Sequence, residues 1–87
     1  MALIKKELVV KNKQGLHARP AALFVQVANK FESQITVRRE NEEVNGKSIM
    51  GILMLGAEKG SVIIVEADGN DAQLAVDELG KLIESEE

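Results

Sequence analysis

Asn12-Lys13-Gln14-Gly15-Leu16-His17-Ala18-Arg19-Pro20-Ala21 is the stretch across which the hydrophobic period changes. Before it, Ile4 to Lys11 reads as a strand. Ile4, Leu8 and Val10 share one face at period two, with Lys6 the exception. Asn12-Lys13-Gln14-Gly15 is turn chemistry. Beyond Leu16, Phe24, Val27, Ala28 and Phe31 recur at helical spacing, which predicts an amphipathic helix over roughly residues 18 to 29. Pro20 is the only proline of the chain. It belongs in a first helical turn, where N–H groups have no intrahelical partner, and so places the helix start near His17 or Ala18.

The rest follows by the same signals. Gln34 to Arg38 reads as a strand with Ile35 and Val37 inward. The polar stretch Arg39 to Glu43 suits a tight turn before a short strand at Val44, and Asn45-Gly46 is another turn. Ser48 is an N-cap for a short helix over Ile49 to Leu55, closed by Gly56. Ser61 to Ala67, rich in β-branched residues, is a buried strand, and Asp68-Gly69 turns the chain. Asn70 or Asp71 caps a last helix with Ala72, Ala75, Val76, Leu79 and Leu82 inward. Gly80 inside that helix has no explanation in the pattern, and the acidic end, Glu84 to Glu87, is expected to fray. The order is β-α-β-β-α-β-α. It suits an α+β fold of two layers, with helices on one face of a mainly antiparallel sheet.

Composition narrows the function classes. The 87 residues suffice for a single domain over 1–87 with one core. Aromatic residues are 2% of the chain and the formal charge is −3, which disfavours a stacking platform or a binder of nucleic-acid backbones. There is no cysteine, so disulfides and thiolate metal sites are excluded. No apolar run is long enough to span a membrane, and Met1 to Lys6 reaches charge too soon for a signal peptide. A cytoplasmic location is expected.

His17 is the only histidine. It follows a glycine turn at the positive end of the first helix, two residues before Arg19. The N–H groups of Ala18 and Arg19 are free to face an anion, and the helix dipole adds attraction. Arg19 adds a charge-assisted contact. Imidazole in its neutral form carries a free, nucleophilic nitrogen. Attack on a phosphoryl donor then gives phosphohistidine at an exposed site from which a second protein can remove the group. The alternative is a surface histidine that merely ends a helix. Ala18, Ala22 and Gln26 lie opposite the core face, where small residues admit a partner. Ile49, Met50, Ile52, Leu53, Met54 and Leu55 are all apolar in a helix of under two turns. Ile52 and Leu55 are expected inward, Ile49 at the edge, and Met50 and Met54 outward as an adaptable docking patch. A helix buried within a small core is the competing reading. Ser48 is first an N-cap, and a phosphate there would suit the helix while altering the neighbouring apolar surface.

Two motifs carry a resemblance. Gly15-Leu16-His17-Ala18-Arg19-Pro20-Ala21 is similar to the phosphorylation-site signature of the HPr family. These are the histidine-containing phosphocarriers of the bacterial phosphoenolpyruvate-dependent sugar phosphotransferase system. Lys47-Ser48-Ile49-Met50-Gly51 with Leu55-Gly56 resembles the regulatory serine signature of the same family. The resemblance spans essentially the whole chain. It implies an open-faced β-sandwich with strand order 1-4-2-3 and three helices on one face. It implies a phosphocarrier rather than an enzyme, with phosphate passing from phosphorylated enzyme I to Nδ1 of His17 and on to enzyme IIA domains. Arg19 would assist. Ala18, Ala22, Leu23, Gln26, Ile49, Met50, Gly51, Leu53 and Met54 would meet these partners.

Ser48 matches the serine modified by HPr kinase/phosphorylase, whose product acts with a catabolite control protein. No cofactor, metal or membrane insertion is implied, and a monomer is expected because the docking face must stay free. Met54 departs from the serine or threonine of many relatives. Gln26, Asn29 and Gly51 stand where enteric relatives carry lysine, so docking should lean less on basic charge. The related regulatory protein Crh lacks the active-site histidine, which this chain has. Two other readings are a regulatory module in which only Ser48 matters, and a hydrolytic enzyme. The second ranks last, because it would need a base and a water-excluding pocket, and the sequence offers no second histidine, no cysteine and no metal-ligand cluster near His17.

Overall fold

A computed structural model describes residues 2–86. Its elements are β1 (Ala2–Val9), α1 (Ala18–Ala28), β2 (Gln34–Arg39), β3 (Glu42–Asn45), α2 (Ile49–Leu55), β4 (Val62–Gly69) and α3 (Ala72–Ile83). The strands form one antiparallel sheet in the order β1-β4-β2-β3. In register, Leu8 faces Ile63 on β4, and Val37 faces Val65.

Alternation sends Leu8, Ile35, Val37, Ile63, Val65 and Ala67 to the helical side, where each is buried. The helices meet them with Ala21, Phe24 and Ala28 from α1, Ile52 and Leu55 from α2, and Ala72, Ala75, Val76, Leu79 and Ile83 from α3. Burying a large apolar side chain of this kind contributes roughly 1.5–3 kcal/mol. With a single ring, Phe24, among the fully buried large residues, the core depends on aliphatic interlock.

Several boundaries differ from the sequence pattern. The first strand begins at Ala2 and ends at Val9, and Ile4 is only partly buried. Asp68-Gly69 does not turn the chain. The strand continues through Gly69, paired with Ala2, and the turn is Asn70-Asp71. Gly69 passes so close to Ser33 that a Cβ there would stand 2.6 Å from its Oγ. On α3, Ile83 takes the buried place expected of Leu82, which is partly buried. Ile83 lies four residues beyond Leu79, the spacing that stays on the inner stripe. The tail expected to fray is hydrogen-bonded as far as Ser85, whose N–H donates to Leu82 O. Met1 and Glu87 lie outside the described residues.

Asp71 occupies the N-cap position of α3, but its carboxylate does not cap that helix. It accepts instead from the Glu32 N–H at 2.9 Å, the Ser33 N–H at 3.0 Å and the Ser33 hydroxyl. This ties the α1–β2 loop to the start of α3. The Ser33 hydroxyl, then the Glu32 N–H, hold the Asp71 carboxyl below its ordinary 3.8. A lowered folded-state value means stability fully present above about pH 3.8 and lost as pH falls through the lowered value. Asp71→Asn is expected to melt at a lower temperature at neutral pH. It is also expected to lose part of the acid dependence that the parent shows below pH 4 in thermal melts.

Gly80 also finds its place here. It is buried against β1, and a Cβ built there would lie 3.5 Å from Leu8 Cδ2 and 3.8 Å from Lys6 Nζ. Those are ordinary contacts, so the helix does not require glycine at this point. Gly80→Ala is expected to raise stability by about 0.5–1 kcal/mol in denaturant unfolding, by removing unfolded-state freedom and adding contact to Leu8.

Candidate functional site

His17 ends the loop from β1 and stands at the N-cap position of α1 with extended backbone (φ −90°, ψ −165°). Two tight turns put it there. In the first, the Gly15 N–H donates to Asn12 O at 3.0 Å and the Gln14 N–H to Asn12 Oδ1 at 2.9 Å. In the second, the Ser61 N–H donates to Glu58 O at 2.9 Å and the Glu58 N–H to Ser61 Oγ at 3.0 Å. The turns are joined where the Leu16 N–H donates to Ala57 O at 2.8 Å. Gly15 is left-handed (φ +69°), and a Cβ there would lie 2.5 Å from Ala57 O and 2.8 Å from Glu58 Cα. Only glycine lets the two turns close on each other. Leu16 is buried just beneath, and His17, next in the chain, is exposed.

The imidazole makes no capping bond to the helix. Among the described residues, no intramolecular acceptor takes the N–H groups of Ala18 or Arg19, while the His17 carbonyl accepts from Ala21 at 2.8 Å. Helix end and free donors therefore face solvent beside the ring, an arrangement suited to an oxyanion. His17 lines an open cleft of about 500 Å³ with Lys13, Gln14, Glu58 and Lys59. Arg19 does not line it. It lines a neighbouring groove with Pro20, Leu23, Leu82, Ser85 and Glu86, and Lys13 and Gln14 line both. Sequence reasoning passed over Lys59 and Glu58, which reach His17 only through the tertiary junction of the two turns.

The apolar patch is present on the outside of the helical layer. Met50 and Met54 are 63% and 68% exposed, and Leu23, Ile49 and Leu53 are exposed beside Ala22 and Gln26. Ile52 and Leu55 point inward. Gly51 is half-buried. A Cβ there would stand 3.2 Å from Asn45 O and Val44 Cβ, so that side faces β3 rather than solvent. Ser48 caps α2: its Oγ accepts from the Gly51 N–H at 3.1 Å. Gly56 closes the helix in the left-handed conformation, and Arg39 Nη1 donates to the terminal Leu55 carbonyl at 3.2 Å. Lys47, next to Ser48 in the chain, is committed elsewhere, its Nζ donating to Phe31 O at 2.6 Å.

Over residues 4–85 the chain matches the family model described as the PTS HPr component phosphorylation site. The chain belongs to the HPr family. The phosphocarrier protein HPr of Xylella fastidiosa is 46% identical over 83 residues, covering 95% of this chain and 93% of its own. The HPr-like protein Crh of Halalkalibacterium halodurans is 48% identical over 84 residues, covering 97% and 100%. The crystal structure of HPr-C-His from Thermoanaerobacter tengcongensis superposes with a TM-score of 0.91 at 54% identity, covering 94% of this chain and 92% of that one. The sheet order and three helices are those expected of an HPr fold. Among the described residues, no helix is long and apolar enough to cross a membrane.

Proposed function

We propose that this chain is a single-domain cytoplasmic phosphocarrier that accepts a phosphoryl group on Nδ1 of His17 from phosphorylated enzyme I and passes it to enzyme IIA domains. The observation that carries this reading is the setting of His17: an exposed ring with no capping bond, beside free N–H groups at a helix start. The Nδ1 lone pair forms the new bond to phosphorus as the donor's bond to phosphorus breaks, and the electron pair leaves with the donor. Ala18 offers a backbone N–H to the phosphoryl oxygens. Arg19, two residues on and exposed, supplies a charge-assisted contact to them.

The partner surface runs over Ala22, Leu23, Gln26, Ile49, Met50, Leu53 and Met54, with Gly51 contributing backbone alone. Methionines there repack against different partners. The carrier acts as a monomer, with this face open to successive partners. Phosphorylation of Ser48 by HPr kinase/phosphorylase would place charge beside Met50 without unfolding α2, because negative charge suits a helix start. It would redirect the chain toward a catabolite control protein.

Onward transfer is the test. Phosphorylated protein, freed of enzyme I and mixed with IIA domains of several sugar permeases, is expected to lose its phosphoryl mass as one IIA domain gains it. Retention against every IIA domain would contradict the relay. It would favour a regulatory module working through Ser48, the reading to which the likeness to Crh belongs.

A further inference from the structure

We propose that Lys13 and Lys59 form a two-pronged cationic clamp for the phosphoryl group on His17, opposed by Glu58. This rests on the carrier reading above. The two lysines occupy the same place in their turns. Lys13 follows Asn12 in a turn closed by Gly15 N–H to Asn12 O, and Lys59 follows Glu58 in a turn closed by Ser61 N–H to Glu58 O. The Gly15 contact and the Leu16 to Ala57 hydrogen bond lock the turns together, so both side chains reach one cleft with the imidazole. Among the described residues, neither lysine is ion-paired. Two cations against one carboxylate leave this cleft positive in a chain of net charge −3.

Lysine ammonium groups on flexible stems can follow a phosphoryl group as it arrives and departs, and each hydrogen bond to it is charge-assisted. The clamp stabilises charge on the group without covering it. Glu58 works in the other direction by repelling the same oxygens, which keeps the phosphoryl group transferable.

Phosphoramidate, a small donor that needs no docking surface, separates the clamp from partner recognition. The donor's P–N bond breaks, ammonia leaves with the electron pair, and Nδ1 forms the new bond to phosphorus. Initial rates are followed by intact mass in the parent, Lys13→Gln/Lys59→Gln, Lys13→Arg/Lys59→Arg, Glu58→Gln and Lys5→Gln, the last a lysine on the outer face of the sheet. The glutamine pair is expected to slow acceptance about tenfold, the arginine pair to keep it within about twofold, and Glu58→Gln to raise it. Thermal melts should be unchanged throughout. Parent rates in the glutamine pair, or an equal fall in Lys5→Gln, would overturn the clamp. A parent that takes phosphate from neither phosphoramidate nor enzyme I would overturn the carrier reading itself, and the clamp with it.

Discussion

His17→Ala is expected to take no phosphoryl group from enzyme I at any concentration, while folding as the parent does. His17 is the only histidine, and the chain has no cysteine, so no other side chain offers a comparable nucleophile at neutral pH. The ring is exposed and makes no capping bond to α1, so its removal leaves no cavity and no orphaned donor. Its backbone carbonyl still accepts from Ala21. The change in stability is therefore expected within about 0.5 kcal/mol, as for surface substitutions generally. Circular dichroism melts and intact mass after incubation with phosphoenolpyruvate and enzyme I check both halves. A variant that still acquires an acid-labile phosphate would place the acceptor elsewhere.

Gly15→Ala is expected to have the largest effect on stability, and to slow acceptance as well. An L-residue in the left-handed conformation costs about 1–2 kcal/mol. The added Cβ would also stand 2.5 Å from Ala57 O and 2.8 Å from Glu58 Cα, both backbone atoms, so the turns must separate. Overpacking of this kind adds about 1–3 kcal/mol. The sum, about 2–5 kcal/mol, is a large share of the roughly 5–15 kcal/mol that holds a domain folded. Gly56→Ala is the control. Gly56 is also left-handed (φ +60°) but nothing lies within 4 Å of its Cβ position, so only the conformational cost of about 1–2 kcal/mol is expected. Denaturant unfolding of both variants isolates the clash. Below its melting temperature, Gly15→Ala should still accept phosphate slowly, because separating the turns withdraws Lys59 from His17. Equal stabilities for the two variants would contradict the account of the junction.

What the sequence made legible was local. Ser48 and Gly56 bound α2 to the residue because a cap hydroxyl and a left-handed glycine act within one helical turn. Pro20 likewise fixed the start of α1, and the surplus of apolar residues in α2 announced an exposed Met50 and Met54. What escaped was tertiary. Asp71 reads as a cap for its own helix, yet its carboxylate serves Glu32 and Ser33 across the fold. Gly69 reads as a turn, yet Ala2 keeps it in the sheet. Lys13 and Lys59 have no pattern in common until Gly15 brings Ala57 and Glu58 alongside. His17 stands out as the candidate nucleophile by its motif, but the charges around it depend on two distant turns closing together.

The most direct test of the central claim is the site of phosphorylation itself. The protein is incubated with phosphoenolpyruvate and its cognate enzyme I, and its intact mass is taken before and after mild acid. Fragmentation without acid then locates the group. The account predicts one phosphoryl group, lost in acid and located on His17. A protein that remains unmodified, or one that carries an acid-stable phosphate on Ser48 alone, would contradict it.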